Sequence, residues 1–195
     1  MKRILVTGFD PFGGEQINPS WEAVKLLPEQ IGSWEICKLE LPTVFSKAAA
    51  LAIGEAERLS VSAILCVGQA GGRDALPPEL VAINLRHASI PDNEGQQPKD
   101  ETIVSGAPCA YFASLPVRKM AEAIEKAGLP ARVSYSAGTF VCNDLFYRLR
   151  HHFDAADVGI CFFHVPYLPQ QAREGQPSAP LADIVRGLEV AISCI

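Results

Sequence analysis

The chain has 195 residues, 48% of them hydrophobic and 20% charged, with a net charge of -5. That balance suits a soluble globular protein with one sizeable core, and it lacks the basic face that a nucleic-acid binder needs. No apolar stretch reaches the length of a membrane span. "MKRILVTGF" has neither the apolar length nor the small-residue cleavage site of a secretory leader. A cytoplasmic protein that meets neither nucleic acid nor membrane is therefore expected.

In chain order, "RILVTGF" predicts a buried strand. "NPSWEAVKLLPEQ" follows with a short helix, for which Asn18 and Ser20 are candidate caps. "SWEICKLELP" alternates apolar and polar residues and predicts a strand, "VFSKAAALAIGEAERLS" a helix, and "SAILCVG" a second buried strand running into "GQAGGR". "ELVAINL" reads as a further strand. The segment 86–110, rich in Pro, Gly and Asp, is too long for a plain connector and reads as a lid, a binding loop or a subunit contact, with short strands near Thr102–Val104.

Beyond it, "LPVRKMAEAIEKAG" predicts a helix closed by Gly128, and "ARVSYSA" a strand. "NDLFYRLRHHF" predicts a helix with Leu145, Phe146 and Leu149 on its apolar side. "DVGICFFHVP" is a strand stopped by Pro166, and "LADIVRGLEVAIS" the last helix. Strands and helices alternate without internal repeat or linker. One domain over residues 1–195 is expected, an α/β/α sandwich with a mixed, mainly parallel sheet. Ligands of such sheets gather beyond the carboxyl ends of the strands. The loops "TGFDPFGG", "GQAGGRDALPPE", "SAGTFVCND" and "HVPYLP" should therefore share one edge.

None of the six cysteines forms a CxxC pair, and no His/Cys cluster has zinc spacing, so free thiols and no metal are expected. Cys142 stands apart because it opens a helix. Amides at a helix N-terminus favour a thiolate and can hold a developing oxyanion. His164, at the end of an apolar strand, could take the thiol proton and return it to a leaving amine. Glu79 could orient that imidazole. Plain alternatives stand beside each: core packing for the cysteine, a half-buried strand-end histidine bonded to a carbonyl, and a solvated glutamate. "GFDPFGG" and "GQAGG" fit neither GxGxxG nor a Walker A loop, and suit tight turns. Phe9 and Phe12, in a Gly/Pro loop, are either a plug or the wall of a binding site. From spacing alone the reading ends at a possible Cys/His hydrolase.

The motifs as a set go further. "VTGFDPFGGEQINPSWEA", "LPTVF", "GQAGGR", "PPELVAIN", "IPDNEGQQP", "GAPCAYFASLPV", "SAGTFVCNDLFY" and "FFHVPYLPQQ" occur in order between about residues 4 and 171. With them the chain resembles the pyroglutamyl peptidase I (pyrrolidone-carboxylate peptidase) family. The resemblance implies a cofactor-free cysteine peptidase that removes N-terminal pyroglutamyl residues. It implies Cys142 as nucleophile, His164 as acid and base, and Glu79 as the histidine's partner. For substrate binding it implies Phe9, Phe12, Asn18, Thr43, Gln69, Ile90, Phe140 and Val141. It also suggests a homo-oligomer, often a tetramer.

One departure is visible: Pro77-Pro78-Glu79-Leu80 stands where many relatives are expected to carry Thr-Pro-Glu-Arg. Three rival readings remain at this stage. They are a non-catalytic relative that binds small cyclic ligands, a Cys-dependent amidase or amidotransferase of similar fold, and a nucleoside-phosphorylase-like enzyme, which the scarcity of basic residues at the glycine loops disfavours.

Overall fold

The structure, a computed structural model, describes residues 2–195. Six strands form the central sheet in the order β2-β3-β1-β4-β8-β5, comprising β1 (Lys2–Phe9), β2 (Gln30–Ile31), β3 (Trp34–Leu41), β4 (Ala63–Gln69), β5 (Pro78–Glu79) and β8 (Gly159–Val165). The four long strands β3, β1, β4 and β8 run parallel, and the two-residue strands β2 and β5 close the edges antiparallel. A separate antiparallel ribbon pairs β6 (Val81–Ile83) with β7 (Ala110–Phe112). The helices are α1 (Pro19–Leu26), α2 (Lys47–Leu59), α3 (Val117–Lys126), α4 (Val141–His152) and α5 (Leu181–Ile192).

The period of two along each long strand sends alternate residues into two cores. Ile4 and Val6, Leu65 and Val67, and Phe163 and Val165 face α1, α3 and α5. Leu5, Ile64, Cys66, Ile160 and Phe162 face α2 and α4. Strands buried on both faces read as apolar runs, which is why β1, β4 and β8 were visible in the sequence, while β3 showed itself by alternation. No helix of the described residues is long and apolar enough to cross a membrane.

The shorter expectations needed correction. "ELVAINL" is two strands rather than one. Glu79 pairs with Phe162 in the main sheet while Val81 pairs with Phe112 in the ribbon, and the chain changes partner at Leu80. "ARVSYSA" makes no strand, only one bridge between Ser134 and Glu79. Nor do Thr102–Val104 form a strand. The Asn84 side chain accepts from the amide of Val104 (2.9 Å) and donates to its carbonyl (2.9 Å), taking the place of a strand partner, and the local bridge falls instead between Arg86 and Glu101.

Candidate active site

β1 is flanked by β3 on one side and β4 on the other, and its crossovers cover opposite faces through α1 and α2. The strand order therefore reverses between β1 and β4, and a crevice opens there beyond their carboxyl ends. It is a cavity of about 110 Å³ lined by Phe9, Phe12, Asn18, Thr43, Gln69, Ala137, Gly138, Thr139, Phe140, Cys142 and His164. Ligand pockets usually span about 300–1,000 Å³, so this slot suits one small ring.

Local register explains how thiol and imidazole meet. Gly68 and His164 are paired across β4 and β8 and project to the α4 face. Cys142 is the second residue of α4, with Phe140 as N-cap. A Cβ on Gly68 would lie 2.8 Å from the Cys142 sulfur and 2.7 Å from the Phe162 ring, so only glycine lets the start of α4 approach this strand. The thiol is partly open to the slot.

Behind His164, Nδ1 hydrogen-bonds Glu79 Oε1 at 2.7 Å. Glu79 is fully buried, arriving on β5 opposite Phe162. Its Oε1 also accepts from Arg73 Nη1 at 3.0 Å, while its Oε2 has no partner. Arg73 is itself held by Ser134 Oγ (3.2 Å) and the Ser136 carbonyl (3.3 Å). With Nδ1 engaged, Nε2 is the imidazole nitrogen left for chemistry at the slot.

Burial pushes the Cys142 thiol up to about 12, reinforced by the negative charge of Glu79. The Cys142 amide acts in the expected, lowering direction but is outweighed. Burial likewise pushes the His164 imidazole down from its ordinary value of 6.5, against the opposing pull of Glu79. The amide at the helix N-terminus pulls toward the thiolate, as the sequence leads one to expect, and burial opposes it. Burial thus disfavours the charged forms of both groups, the thiolate and the imidazolium.

The slot is walled mainly by aromatic rings. Phe12 lies 6.0 Å from Phe140, Phe140 lies 5.3 Å edge-on from Phe45, and Phe9 packs on Phe162 at 6.5 Å. Phe9 is thus largely core, and the half-buried Phe12 is the freer wall. Asn18 donates to the Asp10 carbonyl (2.9 Å) while its oxygen accepts from the Ser20 amide (3.1 Å), so one side chain caps α1 and steadies the slot.

Thr43 is held by its amide on Asp10 Oδ1 at 2.7 Å, and Asn93 of the long 86–110 segment donates to the same oxygen at 3.1 Å. Two residues implied by the resemblance do not line the slot. Val141 is completely buried in the core, and Ile90 is 41% exposed beside Gly13. Sequence reasoning missed Ala137, Gly138 and Thr139 as lining.

A buried Cys–His–Glu arrangement at the helix end of a parallel α/β sheet defines a cysteine-type hydrolase. The comparisons narrow the class. A model of the family described as pyroglutamyl peptidase matches residues 2–195, and the chain belongs to that family. It is 51% identical over 193 residues to a pyrrolidone-carboxylate peptidase of Lactobacillus helveticus, covering 97% of this chain and 96% of that protein. The crystal structure of pyroglutamyl peptidase I from Bacillus amyloliquefaciens superposes with a TM-score of 0.96 at 47% identity, covering 100% of this chain and 96% of the other. The pyrrolidone carboxyl peptidase from Thermococcus litoralis gives 0.95 at 34%, covering 100% and 93%.

Proposed function

We propose that this chain, as one peptidase domain of residues 1–195, removes N-terminal pyroglutamyl residues from peptides through a thioester on Cys142. The observation that carries this reading is the small aromatic slot with thiol and imidazole at its mouth. Pyroglutamate has lost its amine to cyclisation, so a neutral slot holds it without an unpaired charge. An N-terminal glutamine or glutamate would bring an ammonium in at a desolvation cost.

In the first step His164 Nε2 takes the Cys142 proton as the sulfur attacks the pyroglutamyl α-carbonyl outside the ring. As the sulfur attacks, negative charge moves to the carbonyl oxygen, for which the Cys142 amide at the start of α4 is the nearby donor. His164 then protonates the departing peptide amine. Water, deprotonated by the same nitrogen, hydrolyses the thioester. Glu79 keeps the imidazole proton on Nδ1 and stabilises the transient cation. Phe9, Phe12, Thr43 and Phe140 hold the ring, with Asn18 and Gln69 at its polar edge. A homotetramer working in the cytoplasm completes the proposal.

A fluorogenic pyroglutamyl amide tests it. Hydrolysis that is abolished by a thiol-alkylating reagent supports the reading. Binding without turnover would make the chain a ligand-binding relative, and turnover of free glutamine instead would make it an amidase.

A further inference from the structure

We infer that Arg73 is a positioning residue of this site. It pins the Glu79 carboxylate that meets the imidazole and offsets part of that carboxylate's negative charge. The inference rests on the peptidase reading above and goes beyond the Cys142–His164–Glu79 set.

The geometry carries it. Glu79 is wholly buried, and both of its hydrogen bonds fall on one oxygen, Oε1, which His164 Nδ1 and Arg73 Nη1 share. Oε2 has no partner at all, so no other group fixes the rotation of the carboxyl. The backbone of β5 is fixed by its pairing with Phe162 and its bridge to Ser134, but that pairing does not reach the carboxyl group. Arg73 is the tether. One of its terminal nitrogens bridges Glu79 and Ser134 Oγ, and the other reaches the Ser136 carbonyl. The Arg73 side chain is 29% exposed, so one end meets water while the other neutralises a carboxylate in the core.

A buried carboxylate beside a histidine would, alone, raise the imidazole's affinity for a proton and leave it charged at neutral pH. A charged imidazole cannot take the thiol proton. The groups facing His164 are Glu79 from β5, Arg73 from the glycine loop and Cys142 from α4, with Cys66 of β4 next to Cys142. Burial is the main cause that holds the imidazole down; among the charged groups Arg73 is the sole cation, and its smaller field adds to burial against that of Glu79. The pair Glu79–Arg73 is therefore close to neutral overall. It orients the ring without holding an extra proton on it.

The test compares Arg73→Met and Arg73→Lys with the wild type on a pyroglutamyl amide, measuring kcat/KM against pH. The same two substitutions are also made in the Cys142→Ala protein, where the His164 ring is titrated by carbon-13 NMR, the signal being assigned with His164→Gln. Arg73→Met is expected to lower kcat, as the Glu79 carboxylate loses its tether, and to move the acid limb upward, because a positive charge that adds to burial against the imidazolium is removed. The His164 midpoint should move by the same amount. Arg73→Lys, which keeps the charge but not the fork, should hold the limb near its wild-type position while losing part of kcat. An acid limb and a His164 midpoint that stay put in a folded Arg73→Met protein would overturn the inference, whatever the activity. A wild type that does not cleave the substrate would instead remove the peptidase reading, while the NMR midpoint would still decide the role of Arg73.

Discussion

Two thiols on the same face of the sheet differ in a way that explains the site. Cys66 lies in β4, fully buried beneath α2 and α4, and burial pushes its thiol up to about 12. Cys142 lies one layer above, at the start of α4, and its thiol is pushed to about the same value. Resting acidity therefore does not separate the nucleophile from the core residue. What separates them is an opening and a proton acceptor. Cys142 shares a slot with the His164 imidazole, whereas Cys66 does not line that slot and lies in the core beside Thr7 and Cys142. A reactive cysteine here is one whose proton has somewhere to go when a carbonyl arrives.

The largest effect that sharpens this contrast is removal of each sulfur in turn. Cys142→Ala should lower kcat/KM by at least about 10⁴-fold with folding retained, as expected when a nucleophile is deleted. Cys66→Ala should keep kcat/KM within about threefold and instead lower the unfolding free energy by about 1 kcal/mol or more through the cavity it leaves. Circular dichroism melts beside the kinetic assay separate the two outcomes. Comparable activity losses in both variants would erase the distinction.

Next come the proton acceptor and its partner. His164→Ala should cost about 10²–10⁴-fold in kcat, and Glu79→Gln less, because Gln still meets Nδ1 but adds no charge. If the kcat losses rank in the opposite order, proton transfer is not what the imidazole contributes.

Gly68→Ala probes the contact between strand and nucleophile helix. The added methyl meets Sγ and the Phe162 ring under 3 Å, so the variant should lose about 1–3 kcal/mol of stability and more than half of its kcat. A crystal structure showing Cys142 unmoved and activity intact would remove the close approach from the account.

The smallest effects are those of pH on stability. His164 is held neutral in the fold, so the unfolded chain binds the extra proton first, and stability falls as pH drops below 6.5. Cys66, Cys142 and Cys161 are held protonated, so the unfolded chain loses protons first, and stability falls as pH rises from 9 toward 12. Denaturant midpoints measured across that range should form a plateau with a shoulder on each side, and the alkaline shoulder should shrink in Cys66→Ala.

How much of this was legible in the sequence follows from range. The long strands β1, β4 and β8 carry their own signal, since a run of mostly apolar residues needs two covered faces. The Asn18 cap, the start of α4 and the helices with one apolar side are local too. The break at Leu80 was not legible, because alternation says that a residue is extended and not which strand it pairs with. "ARVSYSA" has the composition of a strand, yet β5 is two residues long and offers it only one bridge. The candidate nucleophile and its histidine stood out as a thiol and an imidazole at loop–helix and strand–loop junctions. The resemblance, rather than spacing, joined them to Glu79. Arg73 and the Ala137–Thr139 wall escaped because nothing in their own neighbourhood announces a partner 61 or 63 residues away.

The central claim is that the Cys142 sulfur becomes acylated with His164 Nε2 receiving its proton. Rapid quenching of the enzyme with a pyroglutamyl amide at low pH, followed by peptide mass spectrometry, tests it directly. The account predicts one pyroglutamyl group on the peptide containing Cys142, accumulating in wild type and absent in His164→Ala. An adduct on another residue, or full turnover with no adduct on Cys142 at any quench time, would contradict it.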